Sequence, residues 1–416
     1  MFSIRNSALS RSWLLRQLNP SLIFMISAMV VNAGNYYYNV FLGRYVGPEV
    51  FAETGLLVTL LLLLSFLGMT FQIVAAKYVV DLTAGDKERF QRNITTISIS
   101  IGLLCCLLLW GGAETLSVFF QLSNPWVIKA FASGIPFYFL LSVQRGLLQG
   151  QEKFIPLSVS YQAEMLGRFG ITLAILFLID GQAGIGVASG IAASIVFAVL
   201  FTGKVRLTFD LRSLGKTPRY VLHFFIFTAL YEVVQMVINY FDILLVKHYF
   251  SSLMAGYYTS LSLIGRMIYF VTWMFVMLLL PAVVNRRKEG KPYQYLLNRY
   301  VLYISLIASA AVLSCYLFAD LIVIIVFGEQ YLPISPYLWK YALATSLFAV
   351  SNIFTYYHLS LNNYRPMFIT GAFALLQVLS MVVFHKDFSQ IIHIQIGFMA
   401  MAVLGQSIYH KAHGKY

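Results

Sequence analysis

The sequence predicts an all-α membrane protein that crosses the bilayer with about twelve helices. Only 11% of its 416 residues are charged and 59% are hydrophobic, whereas soluble domains carry roughly 25% charged residues. The mean hydropathy is +0.77. So few charges could not cover the surface of a soluble protein of this length. The composition therefore excludes a soluble enzyme, a nucleic-acid-binding protein and a secreted disulfide scaffold.

Twelve apolar runs are long enough to span the hydrocarbon core, which needs about 20 helical residues. Most prolines lie at the ends of these runs, where they can begin or end a helix. Pro136 lies inside the fourth run and predicts a kink there. The runs cover roughly 20–42, 50–76, 93–119, 126–148, 156–179, 183–202, 220–246, 256–283, 294–319, 332–360, 366–385 and 389–410.

Basic residues set the predicted orientation, because cytoplasmic loops are enriched in Lys and Arg. With the N-terminus in the cytoplasm, 22 of the 29 Lys and Arg residues lie in cytoplasmic segments and 5 lie outside. The other 2, Arg168 and Arg266, lie within spans. The same orientation explains the net charge of +13 by attraction to anionic lipids rather than to nucleic acid. Both termini are expected in the cytoplasm.

The two halves of the chain repeat one another weakly at an offset of about 204 residues. Asn35–Tyr37 in the first span corresponds to Asn239–Phe241 in the seventh. A fainter match relates Gln149–Lys153 to Leu361–Arg365 after the fourth and tenth spans. The repeat predicts a duplicated six-span unit.

Each half has an even number of spans, so both halves point the same way in the membrane. We expect two pseudo-symmetric lobes, residues 1–204 and 205–416, around a central cavity, with the basic segment 204–219 as their linker. A pathway between such lobes is the usual place for a transported substrate.

Four segments carry a family pattern. They are Val40–Ala52, Gly146–Phe154, Asp242–Arg266 and Ile325–Ala344, which read VFLGRYVGPEVFA, GLLQGQEKF, DILLVKHYFSSLMAGYYTSLSLIGR and IVFGEQYLPISPYLWKYALA. These segments resemble the polysaccharide biosynthesis and export proteins. Their order and spacing along the whole chain resemble the Wzx-like O-antigen flippases of the multidrug/oligosaccharidyl-lipid/polysaccharide superfamily.

The resemblance implies two six-helix lobes around a cavity and a substrate that is an undecaprenyl-diphosphate-linked oligosaccharide. That lipid would move from the inner to the outer leaflet of a bacterial cytoplasmic membrane during surface polysaccharide synthesis. The expected partners are this lipid, the surrounding membrane lipids and a polysaccharide polymerase complex. The resemblance does not identify the glycan.

Span seven carries the clearest polar pattern. Its four polar residues follow spacings of 3, 4 and 3, which place them on one helix face: Glu232, Gln235, Asn239 and Asp242. A charge at the bilayer centre costs about 2.5–3.5 kcal/mol, so such residues face a cavity or each other.

Span one carries a similar face of three asparagines, Asn32, Asn35 and Asn39. We expect the two faces to flank one cavity. The alternative is that each is a hydrogen-bonding seam between packed helices.

Arg266 lies about 15 Å deep in span eight, at 1.5 Å per residue. We hypothesise that it binds the diphosphate, because the guanidinium fork donates two parallel hydrogen bonds to phosphate. Glu232 and Asp242 would then hold Arg266 or exchange protons. The alternative is a structural Arg–carboxylate bridge between spans seven and eight.

Glu164 and Arg168 are four residues apart in span five, with the acid first, which favours a pair within the helix. They are candidates either for the cavity or for mutual neutralisation. Arg44 and Lys247 lie at the outer ends of spans one and seven, where they could receive the diphosphate or act as ordinary interfacial residues. Arg145 is one of their cytoplasmic counterparts, and the positive-inside bias explains it without a functional role.

The sequence has no ATP-binding motif and no metal-ligand spacing among its three cysteines. We therefore expect no bound cofactor, and coupling to H⁺ or Na⁺ or to product removal. Three alternatives stay open: an organic-cation exporter of the same fold, a lipid II flippase, and a membrane-embedded polymerase or glycosyltransferase. The last needs a long outer loop, and every outer connection here is short.

Overall fold

The structure is a computed structural model. It describes residues 20–82, 84–178, 182–203, 219–361, 363 and 365–413. The predicted linker lies outside these residues except for Arg219, and so does the basic segment that precedes the first span.

The described chain is helical nearly throughout and contains no β-strand. Its α-helices are α1 (Pro20–Asp81), α2 (Ala84–Gly111), α3 (Ala113–Phe119), α4 (Trp126–Ser133), α5 (Ile135–Gly150), α6 (Phe154–Leu178), α7 (Ala183–Leu200), α8 (Arg219–Tyr249), α9 (Ser252–Lys288), α10 (Gln294–Leu317), α11 (Ala319–Val326), α12 (Ser335–Ser360), α13 (Arg365–Val383) and α14 (Phe388–His413). A 3₁₀-helix, Glu329–Ile334, lies between α11 and α12.

Every predicted span coincides with helical structure, and the third and fourth spans are each divided between two helices. The first two spans are the two halves of α1, which are separated by non-helical backbone at Gly47 (φ 75°, ψ 169°). Glycine adopts this positive φ without a steric penalty, and Pro48 follows it at the start of the second half. The predicted short connection between spans one and two is therefore a sharp kink.

The fourth span is divided where the sequence predicts a kink. Its first part, α4, ends at Ser133, and α5 begins at Ile135 with Pro136 in its first turn. Proline has no backbone N–H to donate, so it is accepted where a helix begins.

Eight helices in the described residues are long and apolar enough to cross a membrane, and α1 counts once among them although it holds two spans. Large apolar side chains lie exposed along these helices, such as Leu107, Leu200 and Leu306. Exposed apolar surface on this scale requires contact with lipid. The predicted fold class, an all-α polytopic membrane protein, is confirmed.

The chain divides into two compact units. Unit 1 comprises Met1–Phe41 and Leu60–Ala229, and unit 2 comprises Leu42–Thr59 and Leu230–Tyr416. The predicted lobes 1–204 and 205–416 stay a prediction.

In unit 1, α5 packs closely against the second half of α1. A Cβ at Gly146 would lie 2.4 Å from the backbone oxygen of Gln72, so only glycine fits at this crossing. In unit 2, α9, α10 and α12 share a buried apolar core that includes Leu279, Leu297 and Ile353.

Candidate functional site

Unit 1 contains a polar cavity of about 330 Å³ between apolar helices. Both halves of α1 line it, together with α5 and α6. We call it the arginine cavity. Its polar lining residues are Asn32, Asn35, Ser65, Gln72, Tyr138, Ser142, Arg145, Tyr161, Glu164 and Arg168.

Arg145 projects from α5 and is held on several sides. Its Nε donates to Ser160 Oγ and its Nη2 to the Ser160 carbonyl, both at 3.0 Å. The guanidinium carbon lies 3.8 Å from the centre of the Tyr161 ring, which adds a cation–π contact. The residue is only 3% exposed, so its orientation is fixed.

Glu164 is the ion-pair partner of Arg145. Its Oε2 lies 2.7 Å from Arg145 Nη1. The sequence favours a pair between Glu164 and Arg168 on the same helix, but the described residues form no such pair. Glu164 points instead to α5, because the nearest guanidinium is the one that Ser160 and Tyr161 position there.

Arg168 is buried without a carboxylate partner among the described residues. Its Nη2 donates to Asn35 Oδ1 on α1. Its Nε is buried and has no hydrogen-bond partner in the described part of the chain. An unpaired buried donor on a charged group is energetically costly, so Arg168 has capacity for a further acceptor.

A chain of amides and a phenol closes one side of the cavity. Gln72 Nε2 donates to Gln149 Oε1 at 2.9 Å, and the Tyr161 hydroxyl donates to Gln72 Oε1 at 3.1 Å. Gln149 belongs to the GLLQGQEKF segment. This segment therefore connects α5 to α1 and α6 around the arginines.

The cavity has a positive charge balance. Arg145 and Arg168 carry one positive charge each, and Glu164 is the only acid among the described residues that line the cavity. Arg168 lies about 15 Å from the far end of α6 and Arg145 about 7.5 Å from the end of α5, at 1.5 Å per residue. A cationic, polar cavity at this depth can bind an anionic group.

Unit 2 has a second arginine centre with different properties. Arg266 Nη2 lies 3.4 Å from Asp242 Oδ1 and donates to the Asn239 carbonyl. Its guanidinium carbon lies 4.2 Å from the centre of the Tyr240 ring. Arg266 is 4% exposed, and these contacts on α8 occupy it.

Asp242 is saturated as well. Its Oδ2 accepts hydrogen bonds from the hydroxyls of Tyr258 and Tyr341, at 3.0 and 2.8 Å, and from Gln395 Nε2 at 2.9 Å. The cavity beside this pair holds only about 20 Å³, room for about one water molecule. The structure contains the Arg–carboxylate bridge that the sequence offers as the alternative to a diphosphate site.

The rest of the span-seven stripe is also largely paired within unit 2. Gln235 Nε2 donates to Tyr231 Oη and Asn352 Oδ1, and Asn239 Nδ2 donates to the Gln235 carbonyl. Glu232 differs, because it is 7% exposed and makes no hydrogen bond or ion pair with the described residues. The stripe is therefore mainly a seam with one unpaired acid.

Arg44 closes the end of a helix. It donates to the carbonyls of Ile324, Ile325 and Val326, the last residues of α11. The terminal carbonyls of a helix have no partner within it, and a cation suits the negative end of the helix dipole. This contact accounts for Arg44 without a ligand.

Lys247 and Asn39 are buried, unlike Arg44. Lys247 is 2% exposed, donates to Ser252 Oγ at 3.2 Å and interacts electrostatically with Glu53. Asn39 Nδ2 donates to the Asn35 carbonyl in its own helix. The structure thus brings Asn32, Asn35, Glu164 and Arg168 together in one cavity and places the other predicted residues elsewhere.

Sequence reasoning missed Arg145 as a cavity residue, because the positive-inside rule explains a basic residue near a span end. The available signal was its depth: it lies five residues before the end of α5 at Gly150, more than a full turn inside the helix.

In the part of the chain that the structure describes, apolar helices enclose a charged, polar cavity, the arrangement expected where a membrane protein binds a hydrophilic ligand. The chain belongs to the polysaccharide biosynthesis protein family, whose model matches residues 41–336. No curated protein matches the sequence significantly.

Several solved structures share the fold. A multidrug resistance MATE transporter in an inward-facing conformation is 12% identical, with a TM-score of 0.75 over 92% of this chain and 96% of its own. The lipid II flippase MurJ is 15% identical, with a TM-score of 0.76 over 95% of this chain and 88% of its own.

A third structure is a transporter from Pyrococcus furiosus, described as having a binding pocket of reverse polarity. It is 16% identical, with a TM-score of 0.60 over 95% of both chains. The family match shows that the chain is a polysaccharide biosynthesis protein, and the solved structures show that its fold is shared with transporters and a flippase.

Proposed function

We propose that the protein moves a polyprenyl-diphosphate-linked oligosaccharide from the inner to the outer leaflet, and that the arginine cavity binds the diphosphate. The observation that carries the proposal is Arg168: a buried guanidinium with an unpaired Nε and no carboxylate partner among the described residues. A phosphate oxygen is the acceptor that such a group lacks.

Two further features support an anionic substrate. Arg145 lines the same cavity with a fixed orientation. Two arginines and one acid among the lining residues give the cavity a net charge of one positive unit. The amides of Asn32, Asn35 and Gln72 offer donors and acceptors that suit sugar hydroxyls. The family concerns polysaccharide biosynthesis, and the structurally similar MurJ is described as a lipid II flippase.

This proposal moves the diphosphate ligand from Arg266 to Arg168 and Arg145. Arg266 already satisfies Asp242 and the Asn239 carbonyl, and about 20 Å³ beside it is too small for a diphosphate. That Arg266 binds substrate stays a prediction without support from this geometry.

The second candidate function is export of organic cations, since a MATE transporter shares the fold. A cation exporter needs an acid that the cavity does not neutralise. In the arginine cavity the acid is paired with Arg145 at 2.7 Å, so the charge balance favours an anion.

Glu232 is our candidate for ion coupling. It is a buried acid in α8 without a hydrogen bond to the described residues, and such acids within membranes act in proton pathways. An imposed proton or sodium gradient should accelerate transfer by wild type but not by Glu232→Gln. The protein would operate in a bacterial cytoplasmic membrane with both termini in the cytoplasm.

The test is leaflet transfer in proteoliposomes that contain an undecaprenyl-diphosphate oligosaccharide. Head groups that reach the outer surface are counted with an impermeant reagent. Wild type is compared with Arg168→Ala and with Arg89→Ala, which removes the same charge from an exposed position of unit 1.

We expect transfer by wild type and Arg89→Ala, and at least a tenfold loss in Arg168→Ala with its folded fraction unchanged. Normal transfer by Arg168→Ala would remove the arginine cavity from the proposal. Failure of wild type to transfer the lipid, alongside efflux of an organic cation, would replace the flippase by the exporter.

A further inference from the structure

The ion pair between Arg145 and Glu164 is asymmetric. Arg145 is held by Ser160 through two nitrogens and by the Tyr161 ring, so its position does not depend on Glu164. Glu164 has Arg145 as its one polar partner among the described residues. The carboxylate can leave without releasing the guanidinium.

Glu164 contacts one particular nitrogen of Arg145. Only Arg145 Nη1 reaches Glu164, at 2.7 Å, because Nε and Nη2 already donate to Ser160. The Glu164 side chain is 12% exposed and that of Arg145 is 4% exposed, and both line the cavity. The acid therefore occupies the donor of Arg145 that is available for a ligand.

A carboxylate oxygen and a phosphate oxygen make the same kind of short, charge-assisted hydrogen bond to a guanidinium. Resting on the function proposed above, we infer that Glu164 is a displaceable internal ligand: it holds Arg145 Nη1 in the empty cavity and yields it to a phosphate oxygen of the substrate.

Competition of this kind lowers the affinity for the diphosphate and speeds its release. A transporter must bind its substrate well enough to take it up and weakly enough to let it go. With Glu164 ionised the cavity carries one net positive charge, and without it the cavity carries two. Glu164 thus determines how firmly the cavity retains an anion.

The competing explanation is that Glu164 merely neutralises a buried arginine. Loss of one partner of a buried ion pair then leaves an uncompensated charge and destabilises the fold. The two explanations predict opposite effects on affinity, because a structural role gives no gain in binding when the acid is removed.

The experiment measures binding of a short-chain polyprenyl diphosphate without sugar to the detergent-solubilised full chain, together with leaflet transfer. Glu164→Gln is compared with Glu114→Gln, which changes the net charge equally at an exposed position of α3. The double variant Arg145→Ala/Glu164→Gln, with Arg145→Ala alone, completes a double-mutant cycle.

We expect Glu164→Gln to bind the probe about tenfold more tightly, equivalent to about 1.4 kcal/mol, and to transfer the lipid more slowly. Glu114→Gln should match wild type. The gain should disappear on the Arg145→Ala background, since the competition acts through that guanidinium.

Equal or weaker binding by folded Glu164→Gln overturns the inference, and so does a gain that persists without Arg145. Should Glu164→Gln not fold, Glu164→Asp retracts the carboxylate and should raise affinity by a smaller factor, whereas unchanged or lower affinity overturns the idea. Failure of wild type itself to bind the probe refutes the proposed function, which separates the two results.

Discussion

The two arginine centres differ in how completely the protein satisfies them. In unit 1, Arg168 keeps an unpaired buried Nε beside a cavity of about 330 Å³. In unit 2, Arg266 and Asp242 satisfy each other, with two tyrosine hydroxyls and Gln395 on the carboxylate. A saturated charge stabilises a fold and an unsaturated one is available to a ligand, so the same residue type serves two purposes.

The weak internal repeat sharpens this contrast. Asn35 and Asn239 occupy corresponding positions of the repeat, and each contacts the arginine of its own unit. Asn35 uses its side chain, whereas Asn239 uses its backbone carbonyl. The arginine comes from α6 in unit 1 and from α9 in unit 2. The two asparagines therefore lie on corresponding helices of the repeat, whereas the two arginines do not.

Asp242→Ala should have the largest effect. It leaves Arg266 buried without its carboxylate and removes the acceptor of three donors, so the free energy of unfolding should fall by about 3–5 kcal/mol. Denaturant unfolding in detergent measures this. The exposed Asp320→Ala is the matched control, and equal stability of the two variants would contradict the structural role of Asp242.

Arg168→Ala should act on binding instead. Loss of a charged hydrogen-bond donor should weaken binding of the polyprenyl diphosphate by about 1.5–3 kcal/mol. The free energy of unfolding should change little. Arg266→Ala should show the reverse. Ligand titration and denaturant unfolding of both variants test the comparison directly. Weaker diphosphate binding by Arg266→Ala together with lower stability of Arg168→Ala would instead assign the diphosphate site to Arg266.

Gly146→Ala should affect both stability and binding. The added Cβ would lie 2.4 Å from the Gln72 backbone oxygen. Such overpacking should lower the free energy of unfolding by about 1–3 kcal/mol. Because Gly146 follows Arg145, displacement of α5 should also lower diphosphate affinity. Gly111→Ala, which meets nothing within 4 Å, should leave unfolding and binding unchanged, and wild-type behaviour of Gly146→Ala would refute the tight crossing.

Arg44→Ala should have the smallest effect. It leaves the carbonyls at the end of α11 without a donor, and the free energy of unfolding should fall by about 1 kcal/mol. Diphosphate affinity should be unaffected, as in the exposed control Lys386→Ala. Reduced affinity with wild-type stability would restore Arg44 as a substrate contact.

Much of the fold could be predicted because it depends on local patterns. The apolar runs, the turn at Gly47 and Pro48 and the division before Pro136 all follow from residue type and helix geometry. Each of the twelve predicted spans coincides with one or two helices, and most ends differ by only a few residues. The third span is the exception, because α2 begins nine residues before it and α3 forms its last part. The polar face of span seven is also a matter of periodicity.

The pairing of charges could not be predicted in this way. Glu164 and Arg168 have the spacing for a pair within one helix, yet Glu164 contacts Arg145 because Ser160 and Tyr161 position that guanidinium. From its sequence position, Arg44 is a candidate outer-leaflet contact. In the structure it donates to a carbonyl at the end of α11 instead. These partners are distant in sequence, so no local pattern contains them.

The sequence alone thus determined that this is a polytopic helical membrane protein, because hydrophobicity over 20 residues is a sum of local terms. Only the tertiary structure decided which buried arginine has a carboxylate partner and which keeps an unpaired donor. That depends on the helix that packs opposite each side chain, and this separates the open centre at Arg168 from the closed one at Arg266.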